Sequence, residues 1–362
     1  MRIVAEKSAI AGALNIVRRG CGTNNYQSVL SNVKVKGSET SVTFTTFDTK
    51  TTIRASFPAD VSEPSEVLVP VAKFLDALKT LPSGELILED KDGVFVIRPS
   101  TGKAKFKLKT MAADKFPEVA LDFPDVPFFE FPGSEFGKMI EATAFAVSDD
   151  ETRYFMNGCY LARESEGLVM AATDGRRLAR SISEAPTPEF KPVIMIPPFL
   201  ALAKEFAGEG PIELAITDKF AAFRAGNVQA AGLLIEGQFP NYRKVIPESQ
   251  KSSFVVNRQE LLDAIKRAAA FTDAKSGRIH IEIEPGSLKT RSEAGENGSS
   301  EDEIPCIYDG EPFVFALNFK YLLDVAERVS GSELRVEFSE PNRALSFPDG
   351  RNLHVVMPMQ LE

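Results

Sequence analysis

The sequence predicts an α+β protein of three repeated modules, each with two helices packed on antiparallel sheet. Three observations carry that expectation. A strand running directly into an amphipathic helix occurs three times, over residues 2–14, 129–140 and 254–265. Its apolar anchors align as Ile10/Leu14, Phe136/Ile140 and Leu261/Ile265, and the first anchors lie 126 and 125 positions apart. In each third a second helix then leads through a turn into a strand carrying the dipeptide Glu-Leu. Leu86, Leu214 and Leu334 follow the first anchor by 76, 78 and 73 positions. One shared dipeptide means little; three copies in register at two anchors signal internal repetition.

Each element has a local reason. The first helices start behind a polar, cap-like residue (Lys7-Ser8, Gly133-Ser134, Asn257) and then repeat apolar residues at helical spacing. The second helices are expected over 71–81, 198–206 and 318–329, and the turns Ser83-Gly, Gly210-Pro and Gly331-Ser follow them. Alternating runs such as Ser41-Val-Thr-Phe-Thr-Thr-Phe and Arg278-Ile-His-Ile-Glu-Ile read as strands with one buried face. Helices on one face of antiparallel sheet follow from this mixture. The first two repeats end alike, in Lys115-Phe-Pro-Glu and Gln238-Phe-Pro-Asn, so the modules are expected at 1–120, 121–248 and 249–362.

Composition narrows the function. A chain of 362 residues, 43% apolar and 26% charged, is globular and comfortable for three cores. Its apolar runs, such as 193–196, fall far below the roughly 20 residues of a membrane span. The start, Met-Arg-Ile-Val-Ala-Glu-Lys, has no signal-peptide core, so a cytoplasmic protein is expected and Asn297-Gly-Ser is not read as a glycosylation site. Cys21, Cys159 and Cys306 form neither a metal spacing nor a disulfide framework, and His280 and His354 lie far apart. Asp149, Asp150 and Glu151 lack metal-ligand spacing, and Gly20-Cys-Gly-Thr lacks a following Walker lysine. No catalysis, metal or cofactor is expected.

The net charge of −9 argues against nucleic acid until its distribution is considered. Residues 1–120 carry +4, residues 121–247 carry −6 and residues 248–362 carry −7. Residues 103–109 alternate, so a single strand would set Lys103, Lys105, Lys107 and Lys109 on one face, with Ala104, Phe106 and Leu108 on the other. Lysines on a strand also protect an edge from unwanted pairing. The last third has a counterpart in Glu293, Glu296, Glu301, Asp302 and Glu303, read as a polar loop. A basic beginning and an acidic end suggest head-to-tail association, which yields a filament or a closed ring.

Three stretches are more specific: Ala172-Thr-Asp-Gly-Arg-Arg-Leu-Ala, Gly237-Gln-Phe-Pro-Asn-Tyr-Arg-Lys-Val-Ile-Pro and His354-Val-Val-Met-Pro-Met-Gln-Leu-Glu. With the triple repeat, the chain resembles the bacterial sliding clamps, the beta subunits of DNA polymerase III, over essentially its whole length. The resemblance implies the DNA-clamp fold and a homodimeric ring of six domains around double-stranded DNA, with helices lining the hole and sheets outside. It implies a processivity factor that does no chemistry and binds DNA without regard to sequence. The implied partners are the polymerase alpha subunit, the clamp loader and other replication and repair proteins bearing clamp-binding peptides.

Site residues follow from the same resemblance. The groove for such peptides, which end in apolar and aromatic residues, would be walled by Met156, Thr173, Gly175, Arg176, Arg177 and Leu178. Pro240, Lys244, Val245, Asn342, Ala344, Val355, Val356, Met357, Pro358, Met359 and Leu361 would complete it. Flexible methionines suit a groove that accepts several partners. Asp174-Gly175 also reads as a tight turn. Facing DNA would be Arg18, Arg19, Asn24, Lys73, Lys79, Lys138, Arg153, Tyr154, Lys204, Lys266 and Arg267. The dimer contact would join Lys103, Lys105, Phe106, Lys107 and Leu108 to Ala270 and Phe271. The chain departs from the family at Asn24, where arginine is common, at Asp150, which would repel phosphate, and at Gln360 and Glu362. The rival reading is a clamp-like scaffold that binds peptides without encircling DNA.

Overall fold

The computed structural model describes residues 1–22, 29–117, 126–208, 210–273, 276–293 and 298–361. The first helix of each third is α1 (Lys7–Val17), α3 (Gly133–Thr143) and α5 (Arg258–Ala269); the second is α2 (Val71–Thr80), α4 (Pro197–Phe206) and α6 (Phe319–Arg328). All six aligned anchors, Ile10, Leu14, Phe136, Ile140, Leu261 and Ile265, are buried. No helix of the described residues is long and apolar enough to cross a membrane.

The helix starts differ chemically. Asn257 caps α5 by accepting from the amides of Gln259 at 3.0 Å and Glu260 at 3.1 Å, and Asn318 caps α6 by accepting from Lys320 at 2.9 Å. Lys7 and Ser8 do not cap α1: the helix already includes them, and the N-cap is Glu6, without a side-chain bond. Gly133 is required for close approach. A Cβ there would stand 2.5 Å from the Gly210 carbonyl, to which the Gly133 amide donates. Proline opens α4 at Pro197, one residue before the expected start, where its missing amide hydrogen costs nothing.

The recurring Glu-Leu dipeptide has a single explanation. In every third the opening strand pairs antiparallel with the strand carrying it: Ala5 opposite Leu86, Phe129 opposite Leu214 and Val256 opposite Leu334. Each leucine is buried and each preceding glutamate exposed.

Among the described residues the strands form three antiparallel sheets. A five-stranded sheet runs Asp60–Ser62, Arg2–Glu6, Glu85–Lys91, Val94–Pro99, Phe106–Lys109. In a nine-stranded sheet, Thr51–Pro58 of the first third pairs with Val228–Leu233 of the second. A twelve-stranded sheet joins the second and third thirds where Arg177–Ser183 pairs with Asn352–Val356. Because of these pairings, the chain divides into two compact units: residues 1–133 with 206–234, and residues 134–205 with 235–362. That division cuts through the central repeat and does not follow the repeat boundaries expected near 120 and 248.

Two expectations are corrected. Residues 103–109 are not one strand; the strand is Phe106–Lys109, with Lys103 and Lys105 outside it. Its partner strand ends at Pro99, which has no amide hydrogen for the ladder, and Lys105 would oppose Arg98. Glu301, Asp302 and Glu303 lie not in a loop but on the strand Ser299–Ile307. There Lys289 faces Glu303 and Arg291 faces Glu301, so opposite charges across the ladder hold an acidic sequence in a strand. Glu293 ends the neighbouring strand, and Glu296 lies outside the described residues.

Candidate functional site

The site is built on a hairpin in the second compact unit. Strands Gly167–Thr173 and Arg177–Ser183 are joined by Asp174-Gly175-Arg176. The Asp174 carboxylate accepts from the amides of Arg176 at 2.8 Å and Arg177 at 3.0 Å. Gly175 takes φ +85°, a left-handed conformation that glycine adopts freely, and a Cβ there would lie 2.9 Å from the Arg153 guanidinium. The Thr173 hydroxyl accepts from the Gly175 amide at 3.1 Å and donates to the Arg177 carbonyl at 2.6 Å.

Beside this turn runs the stretch that follows the strand Asn352–Val356. Val355 faces Leu178 and Val356 faces Arg177. The Met357 amide donates to the Arg176 carbonyl at 2.9 Å and the Met359 amide to the Ala316 carbonyl at 2.8 Å. Arg278 holds the Gln360 carbonyl at 3.2 Å. Residues 357–361 are thereby pinned to the hairpin turn and to the strands Phe313–Asn318 and Arg278–Glu284 instead of fraying.

Leu178, Ala344 and Val355 share one buried cluster with Val169, Ala171, Ile194, Phe239 and Tyr242. Tyr160 stacks on Phe239 at 5.2 Å. The Tyr242 hydroxyl donates to Glu164 at 3.0 Å; burial pushes its pKa up to about 12, with Arg243 pulling against it. Around this floor the rim is apolar yet open to solvent: Val245 is 49% exposed, Met357 41% and Leu361 39%. Arg176, Lys244 and Asn342 are exposed, and Pro240, Pro358 and Met359 half-buried. Met156 and Val356 are buried, Val356 within the core of the last third.

Arg177 does not project from the turn as an open cation. Its guanidinium binds Asp174 at 3.0 Å, the Phe145 carbonyl at 2.8 Å and the Asp324 carboxylate. The sequence offered no signal for Asp324, Phe145 or Glu164, because the partners that matter here are distant along the chain; Phe239 stood out only as part of the stretch 237–247.

The residues expected to face DNA fall in both units. Lys73 and Lys79 are exposed on α2, with Lys79 3.4 Å from Asp76. Arg18 and Arg19 occupy the 3-10 turn that follows α1, beyond the helix itself. Lys138 is exposed on α3, and Lys204 on α4 pairs with Glu141 at 3.4 Å. Lys266 is exposed on α5, whereas Arg267 is bound to Asp302 at 2.7 Å. Tyr154 is 55% exposed on the 3-10 turn Glu151–Met156. In that turn Asp150 pairs with Arg153 at 2.8 Å, and hydrogen bonds from Thr152 and Arg153 hold its carboxyl below the usual range. Its charge is therefore partnered. Asn24 and Glu362 lie outside the described residues.

At the outer edge of the five-stranded sheet, Phe106 and Leu108 are half-buried opposite Ile97 and Phe95, and Lys107 is exposed. Ala270 caps the C-terminal end of α5, and Phe271 beyond it is exposed.

Comparison with known proteins covers the whole chain. Residues 1–121, 130–241 and 243–360 match the N-terminal, central and C-terminal domain models of the DNA polymerase III beta subunit. A beta sliding clamp of Treponema pallidum is 34% identical, with all of both chains covered. The DNA polymerase sliding clamp of Pseudomonas aeruginosa superposes over the full length of both chains with a TM-score of 0.93 and 26% identity. A Bartonella birtlesii clamp, solved bound to griselimycin, gives 0.94 and 27% over the full length of both. Repeat, hairpin and pinned apolar stretch thus have one source: the chain belongs to the DNA polymerase III beta-subunit family, the sliding clamps that serve as polymerase processivity factors.

Proposed function

We propose that two copies of this chain close head to tail into a ring around duplex DNA in the cytoplasm, and that the ring tethers the polymerase without catalysing a reaction. Three modules per copy, bounded near residues 120 and 248, would supply six domains. Two strand edges of opposite charge support closure. Phe106–Lys109 is the last strand of its sheet and carries Lys107 and Lys109. Ser299–Ile307 carries Glu301, Asp302 and Glu303, and among the described residues its 299–305 portion pairs only with Ser287–Glu293. An antiparallel pairing of these edges between copies, with Phe106 and Leu108 against Ala270 and Phe271, satisfies both ladders and joins basic to acidic surface.

The chemistry suits a tether. Lys73, Lys79, Lys138, Lys204 and Lys266 on four of the helices offer phosphate contacts without base readout, and such contacts are compatible with sliding. The apolar rim of Val245, Met357 and Leu361 over a packed floor suits a short linear peptide ending in apolar and aromatic residues, carried by the polymerase alpha subunit, the clamp loader or repair proteins. Holding a polymerase beside its template raises its effective concentration, so modest peptide affinity sustains long synthesis.

The family match along the entire chain carries this reading. Its test is topological. Protein loaded on nicked circular DNA by a clamp loader should co-elute with that DNA at moderate salt and be released once the circle is cut. Equal retention before and after cutting, or none on the circle, would remove the ring and favour the peptide scaffold.

A further inference from the structure

Arg177 is 12% exposed, and its guanidinium is engaged on every side. Besides Asp174, Asp324 and the Phe145 carbonyl, it lies over the rings of Tyr321 at 4.7 Å and Phe145 at 5.3 Å. Arg328 covers Phe145 at 4.5 Å and binds Asp324 at 3.3 Å. Two cations, two carboxylates and two rings thus form a closed junction between α6, the segment after α3 and the hairpin. The hairpin end is specific. One oxygen of Asp174 accepts the amides of Arg176 and Arg177, and the other binds the Arg177 guanidinium. In the same turn the Arg176 carbonyl holds the Met357 amide.

We propose that Arg177 is a positioning residue of the groove instead of a reader of the peptide. It anchors the Asp174-Gly175-Arg176 turn, and through it the Met357 rim, to Asp324 on α6. The proposal rests on the peptide-groove reading above. A planar guanidinium places donors on three acceptors at once, which a lysine ammonium cannot reproduce in the same directions. Asp324 then matters for peptide binding although it lies on α6, away from the apolar rim.

The test uses full-length protein, a fluorescein-labelled pentapeptide ending in leucine and phenylalanine, and hydrogen exchange of the Met357 amide. Arg177→Lys and Asp324→Asn should each weaken the peptide about tenfold, with the double variant no worse than either alone. Both should speed exchange at Met357 while leaving the Ala171 amide, in the neighbouring ladder, unchanged. Normal affinity and exchange in Asp324→Asn, with binding lost in Arg177→Lys, would overturn the proposal and make Arg177 a direct reader. Equal acceleration at Met357 and Ala171 would also overturn it, since that is general loosening. If the unaltered protein does not bind the peptide, the groove reading fails, and the exchange comparison still decides whether Asp324 holds the turn.

Discussion

His354 sits fully buried on the strand Asn352–Val356, with its ring 5.6 Å from Phe145 and no partner on either nitrogen among the described residues. Burial pushes its pKa down to about 4, with Arg328 adding to the effect and Asp349 opposing it. The folded value lies below the unfolded one, so the unfolded chain takes up the proton first. The stability this neutral ring supplies is complete above about pH 6.5 and is lost as pH falls toward 4, with a ceiling of about 3 kcal/mol. His354→Leu should flatten that limb of the stability profile, measured as urea midpoints at pH 7 and pH 4.5. An unchanged difference between the two pH values would assign the acid sensitivity to other groups. At the same scale, Asp150 shows why a charge cannot be judged from its position in the sequence. Expected to repel phosphate, it is occupied by Arg153 and Thr152.

At the scale of elements, the anchors of the repeat and the Asn257 cap follow from local pattern, because helix periodicity and cap chemistry act within a few residues, whereas Asn318, expected inside its helix, is the cap. The ends of strands do not. Whether residues 103–105 continue a strand depends on Pro99 and Arg98 in the partner, and whether an acidic run forms a strand depends on Lys289 and Arg291 across the ladder. Residues 357–361 are a further case, since their order comes from Arg176, Ala316 and Arg278. Deleting residues 358–362 removes two of those ties together with the exposed Leu361. It should weaken the labelled peptide by about tenfold or more, as loss of a central apolar anchor does, and leave the native mass unchanged. A dimer lost along with binding would contradict that separation of groove from interface.

At the scale of the whole molecule, the proposed closure rests on the strand Phe106–Lys109 and the helix end at Ala270 and Phe271. The chain mass is 39.6 kDa, and light scattering at low micromolar concentration should return twice that value. On the proposed pairing, replacing Phe106 and Leu108 by aspartate sets charge against Ala270 and Phe271 of the partner copy and should halve the native mass. An unchanged mass would remove this strand from the interface. Net charge is a poor guide here, since −9 describes a protein whose exposed lysines on the helices are the proposed phosphate contacts.

By itself the sequence determined the triple repeat, the α+β class, the buried anchors and the family, because these depend on periodicity and on short motifs whose residues are neighbours in the chain. It also named the hairpin turn and the apolar stretch beside it. Only the tertiary structure decided that the strands of successive thirds pair into shared sheets. Only there, too, is Arg177 seen to be bound to Asp324 and Phe145, Arg267 to Asp302, and the Met357 amide to the Arg176 carbonyl. Those partners lie tens to nearly two hundred residues apart, and what joins them is complementarity of charge and hydrogen bonding in space, which no local pattern encodes.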